Sequence, residues 1–61
     1  MFVVLNDGRK VNMTYVLSFY QEGKDVVFDM VKGDGLRIRE PFKTEAEAEE
    51  RVKELEEEFI N

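Results

Sequence analysis

Pro41-Phe42-Lys43-Thr44-Glu45-Ala46-Glu47 is the stretch that decides the fold. Before it, apolar residues alternate with polar ones at the period of a β-sheet; after it, they recur at the period of a helix. Proline at position 41 closes a strand, because it cannot donate to a ladder. Thr44 followed three residues later by Glu47 has the form of a capping box, the threonine oxygen accepting from the Glu47 amide. A helix over about residues 44–60 follows. Within it Ala48, Val52, Leu55 and Phe59 fall in an arc of about 60° at 100° per residue. That narrow stripe suits one face of a sheet, with Phe42 filling one end. Glu47 with Arg51 and Glu49 with Lys53 are i,i+4 pairs in the favourable order, each contributing about 0.2–0.5 kcal/mol.

Upstream, three turn signals divide the chain: Asp7-Gly8, Glu22-Gly23 and Gly33-Asp34-Gly35. Asp-Gly between apolar runs is a strong hairpin signal. Two-residue turns at the first two sites place Phe2 opposite Met13 and Val4 opposite Val11. They also place Phe19 opposite Val26, Leu17 opposite Phe28 and Tyr15 opposite Met30. All ten side chains then share one face. A three-residue third loop sets Ile38 against Met30 on that face and Arg39 against Asp29 on the other, and avoids a like-charge pairing of Glu40 with Asp29.

The expected fold is therefore α+β, a single ββββα domain over residues 1–61. Its four-stranded antiparallel meander has strands near 2–6, 9–20, 25–32 and 36–40, with the helix packed on one sheet face. A strand of about twelve residues exceeds ordinary lengths. A bend or bulge is expected near Asn12-Met13-Thr14, and it threatens the parity of the first hairpin.

Sixty-one residues lie near the lower size limit for independent folding, and no cysteine is present to reinforce them. With no basic leader and no apolar run of membrane-spanning length, the chain reads as cytoplasmic, with no membrane contact. The net charge of −5 is uneven. Residues 1–43 carry seven Lys/Arg and six Asp/Glu, giving +1; residues 44–61 carry two and eight, giving −6. Such acidity disfavours nucleic acid and anionic membranes as partners.

Catalysis is not indicated. Histidine and cysteine are absent, and the single serine, Ser18, lies mid-strand without a base nearby. The same absences remove the usual transition-metal ligands, and the aspartates lack calcium-loop spacing. No cofactor is implied.

Two surfaces attract attention instead. The sheet face away from the helix would carry Val3, Leu5, Val16, Tyr20, Val27 and Val31, edged by Arg37 and Arg39. An apolar centre with a charged rim has the anatomy of an interface, and a small chain gains from association. The primary expectation is a non-enzymatic binding module, a homodimer through that face or a binder of another protein. The second surface is an anionic patch of Glu50, Glu54, Glu57 and Glu58. Carboxylates at Glu56–Glu58 oppose the helix dipole; a fraying, solvated helix end accounts for them first, and an acidic inhibitor or DNA mimic is the functional alternative. A weak nucleic-acid contact through Arg37 and Arg39 ranks third.

The junction Phe42-x-Thr44-x-Ala46-x-Ala48, after a short Arg-bearing strand, resembles the sheet-to-helix junction of small phage and mobile-element accessory domains. Among these is the arm-type DNA-binding domain of phage integrases, a three-stranded sheet with one helix. The resemblance covers barely a third of the chain and implies a binding or inhibitory role. The acidic helix departs from the integrase-like pattern, and no functional residue is carried over.

Overall fold

A computed structural model describes residues 1–31 and 36–60. It shows an α+β chain with two small antiparallel sheets and one C-terminal helix. Strands β1 (Phe2–Val4) and β2 (Lys10–Asn12) form a two-stranded ribbon. Strands β3 (Val16–Glu22), β4 (Asp25–Met30) and β5 (Arg37–Pro41) form a three-stranded sheet in that order. Helix α1 spans Glu45–Phe59. The expected single meander is thus replaced by two sheets. The Gly33-Asp34-Gly35 turn lies outside the described residues.

The first hairpin corrects the expected parity. A two-residue Asp7-Gly8 turn of type I′ needs positive φ at both positions. Among the described residues only Gly8 (φ 92°) and Gly23 (φ 61°) have positive φ. The chain instead uses a three-residue loop, Asn6-Asp7-Gly8. Gly8 N–H donates to the Leu5 carbonyl at 3.0 Å, and Leu5 N–H donates to the Arg9 carbonyl at 2.8 Å. Asp7 accepts from the Arg9 amide at 3.1 Å and from its guanidinium at 2.7 Å. The bond from the Arg9 amide holds the Asp7 carboxyl below its ordinary value; desolvation opposes it, and the guanidinium's bond and charge add to the lowering. This contribution to stability is present above the unfolded carboxyl's pKa and fades as pH falls through the lowered one.

One extra loop residue turns every side chain of a strand over. Phe2 now pairs with Asn12, Val3 with Val11 and Val4 with Lys10. Val3, Leu5 and Val11 face the core, while Phe2 and Val4 face outward.

The long second strand breaks where the bend is expected. Asn12 Oδ1 accepts from the Thr14 amide at 3.0 Å and caps a 3₁₀ turn over Met13–Tyr15. The chain then re-enters as β3, with Val16 opposite Met30 and Ser18 opposite Asp29. Leu17 is the extra residue of a bulge and is exposed, and so is Tyr15. Both were expected in the core.

The second turn also sits one residue later than expected. Glu22 pairs with Asp25, leaving Gly23-Lys24 as the loop. Positive φ at the first central residue alone is the type II′ pattern. Phe19 consequently meets Phe28 rather than Val26, with ring centroids 6.3 Å apart. This slip of two leaves the parity intact. The same holds for β5, where Ile38 pairs with Phe28 and Arg37 with Asp29. Gly23→Ala is expected to cost about 1 kcal/mol from the left-handed backbone alone, because a Cβ there meets no atom within 4 Å. Urea unfolding measures it, and Gly23→Asn should recover part of the loss.

The helix behaves as its pattern requires. Thr44 Oγ1 accepts from the Glu47 amide at 3.2 Å, although the Glu47 carboxylate returns to the Thr44 hydroxyl rather than to its amide. Thr44→Ala should therefore cost about 1 kcal/mol in the same assay. Ala48 and Leu55 are fully buried, with Val52 and Phe59 packed beside them. The core joins Val3, Leu5 and Val11 of the ribbon to Val26 and Phe28 of β4 and to the helix. Phe42 packs against it as expected.

One charged group enters this core. Glu40 is 1% exposed, and Arg51 meets its carboxylate at 2.9 and 3.3 Å. The Asn6 amide supplies a further bond at 2.8 Å, while Arg51 also reaches the Val4 carbonyl at 3.1 Å. Arg51 thus binds Glu40, not Glu47, and joins β5, α1 and the first hairpin. The hairpin tip also shields the outer edge of β5: the Asn6 side chain donates to the Pro41 carbonyl and Arg9 to that of Arg39.

Candidate functional site

The face expected to hold an apolar interface is assembled differently. Val3 and Leu5 belong to the core, and Val16 packs against it. The parity reversal explains the first two; the Leu17 bulge, which turns Val16 inward, explains the third. Tyr20, Val27 and Arg39 remain together as a cross-strand row, and Arg37 lies opposite Asp29. Val27 is fully buried though outside the core cluster, flanked on the central strand by Tyr20 and Arg39. The rest of the face is polar. Arg37 bonds Asp29 at 2.9 Å, while Arg39 bonds Glu22 at 2.7 Å and Asp25 at 3.2 Å. Glu22, ahead of Asp25, raises the Arg39 pKa. Ser18 Oγ lies 3.4 Å from Asp29. A phosphate contact at either arginine would have to displace these carboxylates.

Glu50, Glu54, Glu57 and Glu58 are all exposed. Glu50 and Glu54 border a shallow depression beside Val4, Phe42 and Arg51. No basic residue occupies the last helical turn. No group of acidic residues suited to a metal ion occurs among the described residues. No helix among them is long and apolar enough to cross a membrane.

The most site-like surface is one that alternation did not reveal. Eight large apolar side chains are exposed among the described residues. Three of them, Met1, Leu17 and Ile60, line one groove, and backbone bonds place Tyr15, Val31 and Leu36 on the chain segments next to it. Val31 N–H donates to the Tyr15 carbonyl at 2.7 Å, and Met30 N–H to the Leu36 carbonyl at 3.2 Å. These bonds set Tyr15, Leu17, Val31 and Leu36 at the same end of the three-stranded sheet. Met13 N–H donates to the Met1 carbonyl at 2.9 Å and brings the first residue there as well. Ile60 closes the group from the end of α1.

Between these elements runs an open groove of about 530 Å³. Met1, Met13, Leu17, Phe59 and Ile60 supply its apolar wall, and Glu56 stands in the same lining. Four consecutive β3 residues, 16 to 19, also line it. Val16 and Phe19 turn toward the core, Ser18 pairs on the other face beside Asp29, and Leu17 points outward at the bulge. A groove touching four in a row therefore follows the strand's edge. Sequence reasoning placed Leu17 and Phe59 in the core and gave Met1 and Ile60 no role. Leu17 is turned outward by the bulge, whose exact position the alternation of apolar residues does not signal.

Comparison with protein-family models, curated proteins and solved structures returned no match.

Proposed function

We propose that the chain is a small non-enzymatic binding module that holds another polypeptide at the apolar end around Met1, Leu17 and Ile60. The observation that carries this reading is that Met1, Leu17 and Ile60, all exposed, line one groove. Scattered apolar residues are ordinary on a protein surface, whereas a contiguous group marks an interaction site. The groove beside it offers concave apolar surface with a single carboxylate, the composition of a pocket that orients a ligand.

Selection of displayed random peptides on the immobilised chain tests this. Peptides retained by the native chain and lost on a Leu17→Asp/Ile60→Asp variant support it. Peptides retained equally by both overturn it, and their loss when Glu50, Glu54, Glu57 and Glu58 become Gln places the activity on the anionic helix face instead. Both aspartate substitutions lie at exposed positions, and each is expected to change stability by less than about 0.5 kcal/mol.

A second reading is a homodimer across the outer sheet face. It keeps support from Tyr20 and buried Val27, which stand together beside Arg39. Sedimentation equilibrium at micromolar concentration separates the two: a monomer removes the homodimer, and a dimer dispersed by Tyr20→Asp but not by Leu17→Asp establishes it.

A further inference from the structure

We infer that the groove accepts an extended segment of a partner protein, which adds as a fourth strand to the free edge of β3 and places a basic residue near Glu56. This rests on the apolar-end reading above and specifies its occupant.

The edge argument follows from the ladder. A two-residue hairpin closes on a hydrogen-bonded pair, here Glu22 with Asp25. Alternation then directs the backbone groups of Glu22, Tyr20 and Ser18 toward β4, and those of Phe19 and Gln21 away from it. The sheet ends at β3. No backbone bond on that outer side of β3 occurs among the described residues. The opposite edge is treated differently, since Asn6 and Arg9 occupy the outward carbonyls of β5. A protein with one covered edge and one open edge has a template for β-augmentation at the open one.

The groove completes the template. It runs beside residues 16 to 19, so side chains of an added strand would enter between Met1, Met13, Phe59 and Ile60. Leu17, released by the bulge, contributes from the strand itself. Charge selects the occupant. Glu56 lines the groove, Glu57 and Glu58 follow it, and the carbonyl end of α1 adds negative potential. A second copy would bring the same carboxylates together, whereas a foreign strand bearing Lys or Arg meets them favourably. The three carboxylates that oppose the helix dipole thereby gain a use.

The probe is a capped heptapeptide of alternating Lys and Val, compared with its Glu/Val counterpart and with two N-methylated forms. One form is methylated at every Val amide, the other at every Lys amide. Strand addition predicts slowed hydrogen exchange at the Phe19 and Gln21 amides on binding the Lys peptide. Only one methylated form should bind, because alternate amides face β3. The Glu peptide should bind about tenfold more weakly at low salt, and Glu56→Gln should weaken the Lys peptide about two- to fivefold.

Binding of both methylated forms with shifts at Leu17 and Ile60 overturns strand addition and leaves the apolar-end reading standing. Absence of any shift at saturating peptide overturns strand addition, and the apolar end is then judged on the display selection. A dimer whose Phe19 and Gln21 amides are protected without peptide overturns the foreign segment in favour of a second copy.

Discussion

Arg51→Met is expected to remove about 3–5 kcal/mol of stability, the usual loss when one partner of a buried ion pair is deleted. At roughly 0.05–0.15 kcal/mol per residue, a chain of 61 residues holds only about 3–9 kcal/mol in all. The variant should therefore lose about a third or more of the native stability, read as a large drop in the urea midpoint. The cause is what remains behind. Glu40, 1% exposed, would keep the Asn6 amide as its partner and lose both guanidinium bonds. Glu40→Leu combined with Arg51→Met should recover most of the loss, since apolar replacement of both partners is often neutral. A double variant no more stable than Arg51→Met would show that the arginine acts by another route, such as its bond to the Val4 carbonyl.

The second large effect is a contrast between neighbours. Val3→Asp should cost several kcal/mol, because it buries a carboxylate without a partner. Val4→Asp should change stability by less than about 0.5 kcal/mol. Val3 is 7% exposed and Val4 58%. Equilibrium unfolding of the two variants reads the parity of the first hairpin directly. A two-residue Asp7-Gly8 turn would demand the reverse order of damage.

The pair also shows what was legible in the sequence. The helix, its cap and its buried stripe were readable because each rests on local chemistry: Thr44 and Glu47 meet as their spacing requires, and Ala48 and Leu55 are buried. The break after Asn12 was readable as excess strand length. Turn geometry was not. Asp7-Gly8 is compatible with two-residue and three-residue loops, and the choice turns on the φ of Asp7, which no sequence pattern states. That single residue moved Val3 and Leu5 from a supposed interface into the core. The slips at Gly23-Lys24 and in β5 did no such damage, because a shift of two preserves the face.

The site was less legible than the fold. Leu17 has the alternation of a core residue, and only the Val16/Ser18 register shift turns it outward. Glu40 shares a face with Ile38 by simple alternation, and Arg51 flanks the helical stripe. Their pairing follows from patterns already in view once the strand is known to pack under the helix.

The two-sheet arrangement with its exposed apolar end is the claim on which the functional reading depends. Paramagnetic relaxation of methyl signals by a neutral gadolinium chelate tests it in one measurement, since the chelate broadens only methyls it can approach. Strong broadening is expected at Met1, Leu17, Val31, Leu36 and Ile60, with Val3, Leu5, Val11 and Val26 protected. Broadening at Val3 and Leu5 with Leu17 protected, as a single four-stranded meander requires, would contradict the account.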